Sequence, residues 1–125
     1  MMRFAGYAAI FDLPDKGGDI VRKGAFARAL KAPVPLLHQH DISRCIGAVE
    51  HARGLRVIAQ VDADVAIRPG TGLSFGYRVR GMDKRTYREL TDLDLIEVSV
   101  VAHPMQPLAR VLAVEFTPQE NNQGE

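Results

Sequence analysis

Apolar residues in this chain come in short runs, and clusters of Gly, Pro, Asp or Lys cut each run off. The first, over 4–11, stops at Asp12-Leu-Pro-Asp-Lys-Gly-Gly-Asp19. Runs this short, spaced by turn-forming residues, fit β-strands and leave little room for long amphipathic helices. Strands are expected over 4–11, 34–40, 45–50, 54–61, 73–80, 87–90, 93–102 and 109–114, with a hairpin turn at Gly81-Met-Asp-Lys84. One stretch, 24–31, has the helical period: Phe26, Ala29 and Leu30 lie at i, i+3 and i+4, and Pro33 and Pro35 end it. The predicted fold is mainly β (α+β): a small closed or nearly closed β-barrel of about seven short strands, with one or two short flanking helices. Closure would hide the strand edges.

The 125 residues read as one domain, 1–114, followed by a disordered, polar tail, 115–125. A chain of this size buries about two-thirds of its unfolded surface, so it needs no metal or disulfide staple. The apolar fraction of 46% excludes wholesale disorder, and a net charge of +1 gives no global pull toward nucleic acid or anionic membranes. The single Cys45 rules out an intrachain disulfide and any Cys-cluster zinc site, and it suits a reducing compartment. No apolar run is long enough to span a bilayer, and the opening residues carry no small-residue cleavage site. A soluble cytoplasmic domain without a membrane partner is the expectation. The basic residues Arg78, Arg80, Lys84, Arg85 and Arg88 are diluted by Asp83 and Glu89, which fits a solvated hairpin rather than a specific nucleic-acid site.

Groups able to carry chemistry are few: three serines, one cysteine and four histidines. Ser43 lies in a turn, where serine bonds its neighbours, and Ser99 lies inside an apolar run as a half-buried strand hydroxyl. Ser74 differs. In Gly72-Leu-Ser-Phe-Gly76 both glycines share its strand face, leaving room for a peptide carbonyl at an acyl-transfer nucleophile. The same residues match the G-x-S-x-G nucleophile elbow, but that motif needs a following helix, and Tyr77-Arg-Val-Arg80 continues as strand. A base is offered by His38 and His40, at i and i+2 before Asp41. They also permit a metal site with His51, His103 or Asp41, although the spacing supplies no clear third and fourth ligand. Glu97 interrupts the apolar run 93–98, and a carboxylate buried there needs a partner.

Four blocks in order carry a resemblance. They are Gly6-Tyr-Ala-Ala-Ile-Phe11 with Gly18-Asp-Ile-Val21 and Gly24-Ala-Phe26; Pro35-Leu-Leu-His-Gln-His-Asp41 with Arg44 and Ile46-Gly47; Gly72-Leu-Ser-Phe-Gly-Tyr-Arg-Val79; and Leu95-Ile-Glu-Val-Ser-Val-Val101 with Pro104, Pro107, Ala109 and Arg110. Together they resemble the prohead maturation proteases of tailed phages, which are similar in fold to the herpesvirus assemblins. The resemblance implies a serine endopeptidase with nucleophile Ser74, base His40 and orienting acid Glu97, needing no cofactor or metal. His103 is the rival for the orienting role. The implied partners are a capsid or scaffold polypeptide as substrate, the chain itself included, and other copies in a homo-oligomer. The implied place is the interior of an immature capsid. A catalytically inactive relative serving as assembly scaffold or chaperone is the alternative, and a metallohydrolase centred on His38 and His40 is a third reading.

Overall fold

The computed structural model describes residues 2–25, 34–53, 56–61, 65–84 and 86–116. Its strands are β1 (Met2–Tyr7), β2 (Asp19–Val21), β3 (Val34–His38), β4 (Asp41–Arg53), β5 (Arg56–Val61), β6 (Gly72–Lys84), β7 (Arg88–Val101) and β8 (Val111–Phe116). All join one sheet in the order β2-β7-β3-β4-β5-β1-β8, and β6 pairs with the other side of β7. The mainly β prediction holds. The closed barrel does not form: between β6 and β8 the described residues make one isolated bridge, Gly72 to Arg110, and the sheet remains an open half-barrel. No helix occurs among the described residues, so the expected flanking helices are not seen; most of the 24–31 segment lies outside those residues.

Two sequence cues misled the strand boundaries. Gly81-Met-Asp-Lys84 looks like a turn, yet β6 runs through it, and Gly81 marks a register shift opposite Asp92. A glycine inside a strand often signals such a bulge. Thr91-Asp92 likewise looked like a break, but the two strands expected around it are the single strand β7. β8 continues through Glu115 and Phe116, which pair with Arg3 and Met2.

The core lies on one face of the curved sheet, around the fully buried Phe4, Leu36, Val61, Leu73, Val98 and Val111. A smaller cluster of Val21, Ala25, Leu90 and Leu93 packs beside it, with Phe75 touching both. β7 is the organising strand. It pairs antiparallel with β6 along one edge and parallel with β2 and β3 along the other.

The short β2 is fastened to β7 by charge. Arg88 Nε and Nη2 donate to Asp19 Oδ1 and Oδ2 at 2.8 and 2.6 Å, and Tyr77 Oη donates to Oδ2 at 3.3 Å. The Arg88 hydrogen bond holds the Asp19 carboxyl below its ordinary value of 3.8, with burial opposing. A depressed folded-state value stabilises the fold above that ordinary value, and the gain is lost as pH falls through the folded value. Asp19→Asn is therefore expected to destabilise by about 1 kcal/mol at pH 7, because half-exposed Arg88 keeps the pair screened. Urea unfolding at falling pH should show wild type and variant converging in the acid range.

Candidate active site

The site forms where the β3–β4 turn overhangs β7. Parallel pairing sets Leu36, Leu37 and His38 beside Val98, Ser99 and Val100. His38 and Asp41 then pair across a two-residue turn of Gln39 and His40, whose φ values are +53° and +60°. Positive φ at both central residues is the geometry of a type I′ hairpin turn, normally made by Asn and Gly. A non-glycine residue in this region costs about 1–2 kcal/mol, so its surroundings must hold it there. Gln39 N–H donates to the Val100 carbonyl at 2.9 Å, and His40 N–H donates to Ser99 Oγ at 3.1 Å. The expected strand over 34–40, which would put His38 and His40 on one face, is corrected here, because the strand ends at His38 and His40 belongs to the turn.

The turn returns the His40 imidazole onto Glu97. Nδ1 lies 2.6 Å from Glu97 Oε2, and Ser99 Oγ donates to the other oxygen, Oε1, also at 2.6 Å. The buried carboxylate is thus bonded at both oxygens. The Glu97 side chain is 12% exposed and that of His40 is 44%, so the pair has a covered acid and a reachable base. With Nδ1 committed to Glu97, Nε2 is the nitrogen left for a reacting group.

Ser74 completes the row. On β6 it stands directly opposite Ser99, as Gly76 stands opposite Glu97. Opposed residues of antiparallel strands share a face, with Cβ atoms about 4.5–5.5 Å apart. Ser74 Oγ makes no hydrogen bond to His40 or to any other described residue. Nucleophile–base contacts in unliganded sites are often open and tighten when substrate binds.

The two glycines flanking Ser74 serve packing more than ligand access. A Cβ on Gly76 would collide with Glu97 Oε2 and sit 3.0 Å from its Cγ, and one on Gly72 would sit 2.7 Å from the Val101 carbonyl oxygen and 2.8 Å from Pro104 Cδ. Gly76 leaves the space in which Glu97 reaches His40. Gly76→Ala is expected to displace the carboxylate, slowing any reaction that uses the pair at least 10-fold and costing about 1–3 kcal/mol, the usual range for overpacking. Activity and urea unfolding of the same variant measure the two effects.

The other candidates lie apart from this cluster. Asp41 Oδ1 is held by Ser43 N–H at 2.9 Å and Ser43 Oγ at 2.7 Å, a local turn that occupies it. His103 is exposed in the segment between β7 and β8, and the group against His40 Nδ1 is Glu97. Cys45 is exposed, its thiol donating to the Gly47 carbonyl at 3.2 Å. Among the described residues no three His, Cys, Asp or Glu side chains converge as metal ligands. Sequence reasoning passed over Ser99; its signal was the i+2 spacing from a buried acid.

A cavity of about 110 Å³ borders Ser74, between β6 and the segment that follows β1. Its lining includes the buried Ala8, Ala9, Val21 and Leu73, and Asp15 and Asp19 add two carboxylates.

The family model of the caudovirus prohead serine protease matches residues 1–123. The chain belongs to that family. Comparison with curated proteins gives no match. Membership in the prohead serine protease family implies a serine protease acting on capsid proteins inside the procapsid. Among the described residues no helix is long and apolar enough to cross a membrane.

Proposed function

We propose that this prohead protease family member is an endopeptidase that trims capsid or scaffold segments during assembly, with its own chain as a further substrate. The observation that carries this reading is the 2.6 Å His40–Glu97 pair beside the register row that holds Ser74. His40 Nε2 takes the Ser74 proton as Oγ bonds to the scissile carbonyl carbon. His40 then gives that proton to the leaving amine as the C–N bond breaks. A water, activated by the same nitrogen, hydrolyses the acyl-enzyme and restores Ser74. Glu97 fixes the tautomer with the proton on Nδ1 and stabilises the imidazolium. No step calls for a metal or cofactor. The cavity beside Ser74 takes an apolar substrate side chain next to the scissile bond, since much of its lining is aliphatic or aromatic.

Co-expression with the matching capsid protein, followed by intact mass of both chains, tests the proposal. Clipped capsid protein supports it. An intact capsid protein carrying tightly bound protease-family chain would favour the inactive scaffold instead. Trimming that a chelator stops would point to the metallohydrolase reading of His38 and His40.

A further inference from the structure

We infer that Ser99 is a positioning residue of this site, an inference that rests on the serine protease reading above. Its hydroxyl has one proton, and the structure commits it: Oγ donates to Glu97 Oε1 at 2.6 Å. The same oxygen accepts the His40 backbone N–H at 3.1 Å. One buried atom therefore ties the acid to the main chain of the base. The two bonds act on different degrees of freedom. Donation to Oε1 fixes the rotation of the carboxylate, so that Oε2 faces Nδ1. Acceptance from the His40 amide holds a residue at φ +60°, where the ring is aimed from a conformation that a histidine rarely adopts.

Ser99 is 0% exposed and its bond to Glu97 is buried, so losing the hydroxyl leaves Glu97 Oε1 without its donor and also takes the acceptor from the part-buried His40 N–H. Register places Ser99 in one row with Leu37 on β3 and Ser74 on β6, so the hydroxyl sits where both flanking strands meet β7. Donation to a carboxylate is a charge-assisted bond, stronger than a neutral one.

The test needs no knowledge of the natural substrate. Diisopropyl fluorophosphate phosphorylates an activated serine: a P–O bond forms to Oγ, fluoride leaves, and the base takes the hydroxyl proton. The rate of Ser74 modification, followed by intact mass, reports the Ser74–His40 machinery. The low-field proton NMR signal of His40 Nδ1–H reports its bond to Glu97 without any reaction. Ser99→Ala is expected to slow modification 10- to 100-fold and to shift or broaden the low-field signal into solvent exchange. Ser74→Ala should leave that signal in place, and Glu97→Gln should remove it. Should Ser99→Ala not fold, the nearly isosteric Ser99→Cys, a weak donor, carries the same test with an intermediate effect. A folded Ser99 variant with wild-type modification rate and an unmoved signal overturns the inference. Wild-type protein that the reagent never modifies overturns the serine protease reading instead, and the inference with it.

Discussion

Ser74→Ala is expected to abolish capsid-protein trimming, by at least about 10⁴-fold, the scale seen when a serine protease loses its nucleophile. Its fold should survive. Ser74 is half-buried and its hydroxyl has no hydrogen-bond partner among the described residues, so deleting the oxygen strands no other polar group. Contrast Ser99, where deletion removes a partner from two groups. The variant's thermal unfolding should therefore match the wild type within a few degrees while intact mass shows the capsid protein uncut. Trimming at the normal rate by a folded Ser74→Ala protein would remove serine chemistry at this position.

Glu97→Gln should cost about 10²–10⁴-fold, the range for a lost orienting acid. The amide keeps the shape of the carboxylate but brings one oxygen and one NH₂ to two contacts that both need an acceptor. Ser99 Oγ and His40 Nδ1 each face one carboxylate oxygen, so one of them must now meet a donor. If the NH₂ turns toward Nδ1, the ring is driven to the other tautomer, with its proton on Nε2, where it cannot serve as base. His103→Phe should change the rate little, since His103 is exposed and Glu97 holds the Nδ1 position. Trimming assays on both variants separate the candidates. A mild Glu97→Gln with a crippled His103→Phe would transfer the orienting role to His103.

Much of this architecture is readable from local pattern, and the failures share a cause. Strands β1, β3, β5 and β8 follow from apolar runs bounded by turn residues, because those signals are local. β2 has only Asp19, Ile20 and Val21, and it exists through its parallel pairing to β7 and the Asp19–Arg88 clamp, neither of which a three-residue window contains. Barrel closure depends on whether β6 and β8 pair along their length, which again no local pattern encodes. Glu97 is legible as a buried acid in need of a partner, and the structure gives it two. His40 was the expected partner; Ser99 was not legible. Ser99 has the surroundings of an ordinary strand hydroxyl, and His40 was read as strand because the strongest turn signals, Asn and Gly, are missing from Gln39-His40. The glycines beside Ser74 were read as room for a substrate, which is an incomplete account of them. They make room for Glu97 and Pro104 as well as for anything that binds.

The position of β7 between β6 and β3 has a consequence for when the molecule can act. The ribosome makes His40 and Ser74 before Glu97, and among the described residues β3 and β6 do not pair with each other but each pairs with β7. A nascent chain that has emerged as far as β6 thus carries the proposed nucleophile and base before the strand that aligns them. The contacts that hold His40 against β7 span 57 to 59 residues of sequence, so their loop-closure entropy is met only once β7 is in place. On the mechanism proposed above, hydrolytic competence would arrive with the docking of the fourteen-residue β7, and a chain that stops short of it would be inert toward its neighbours.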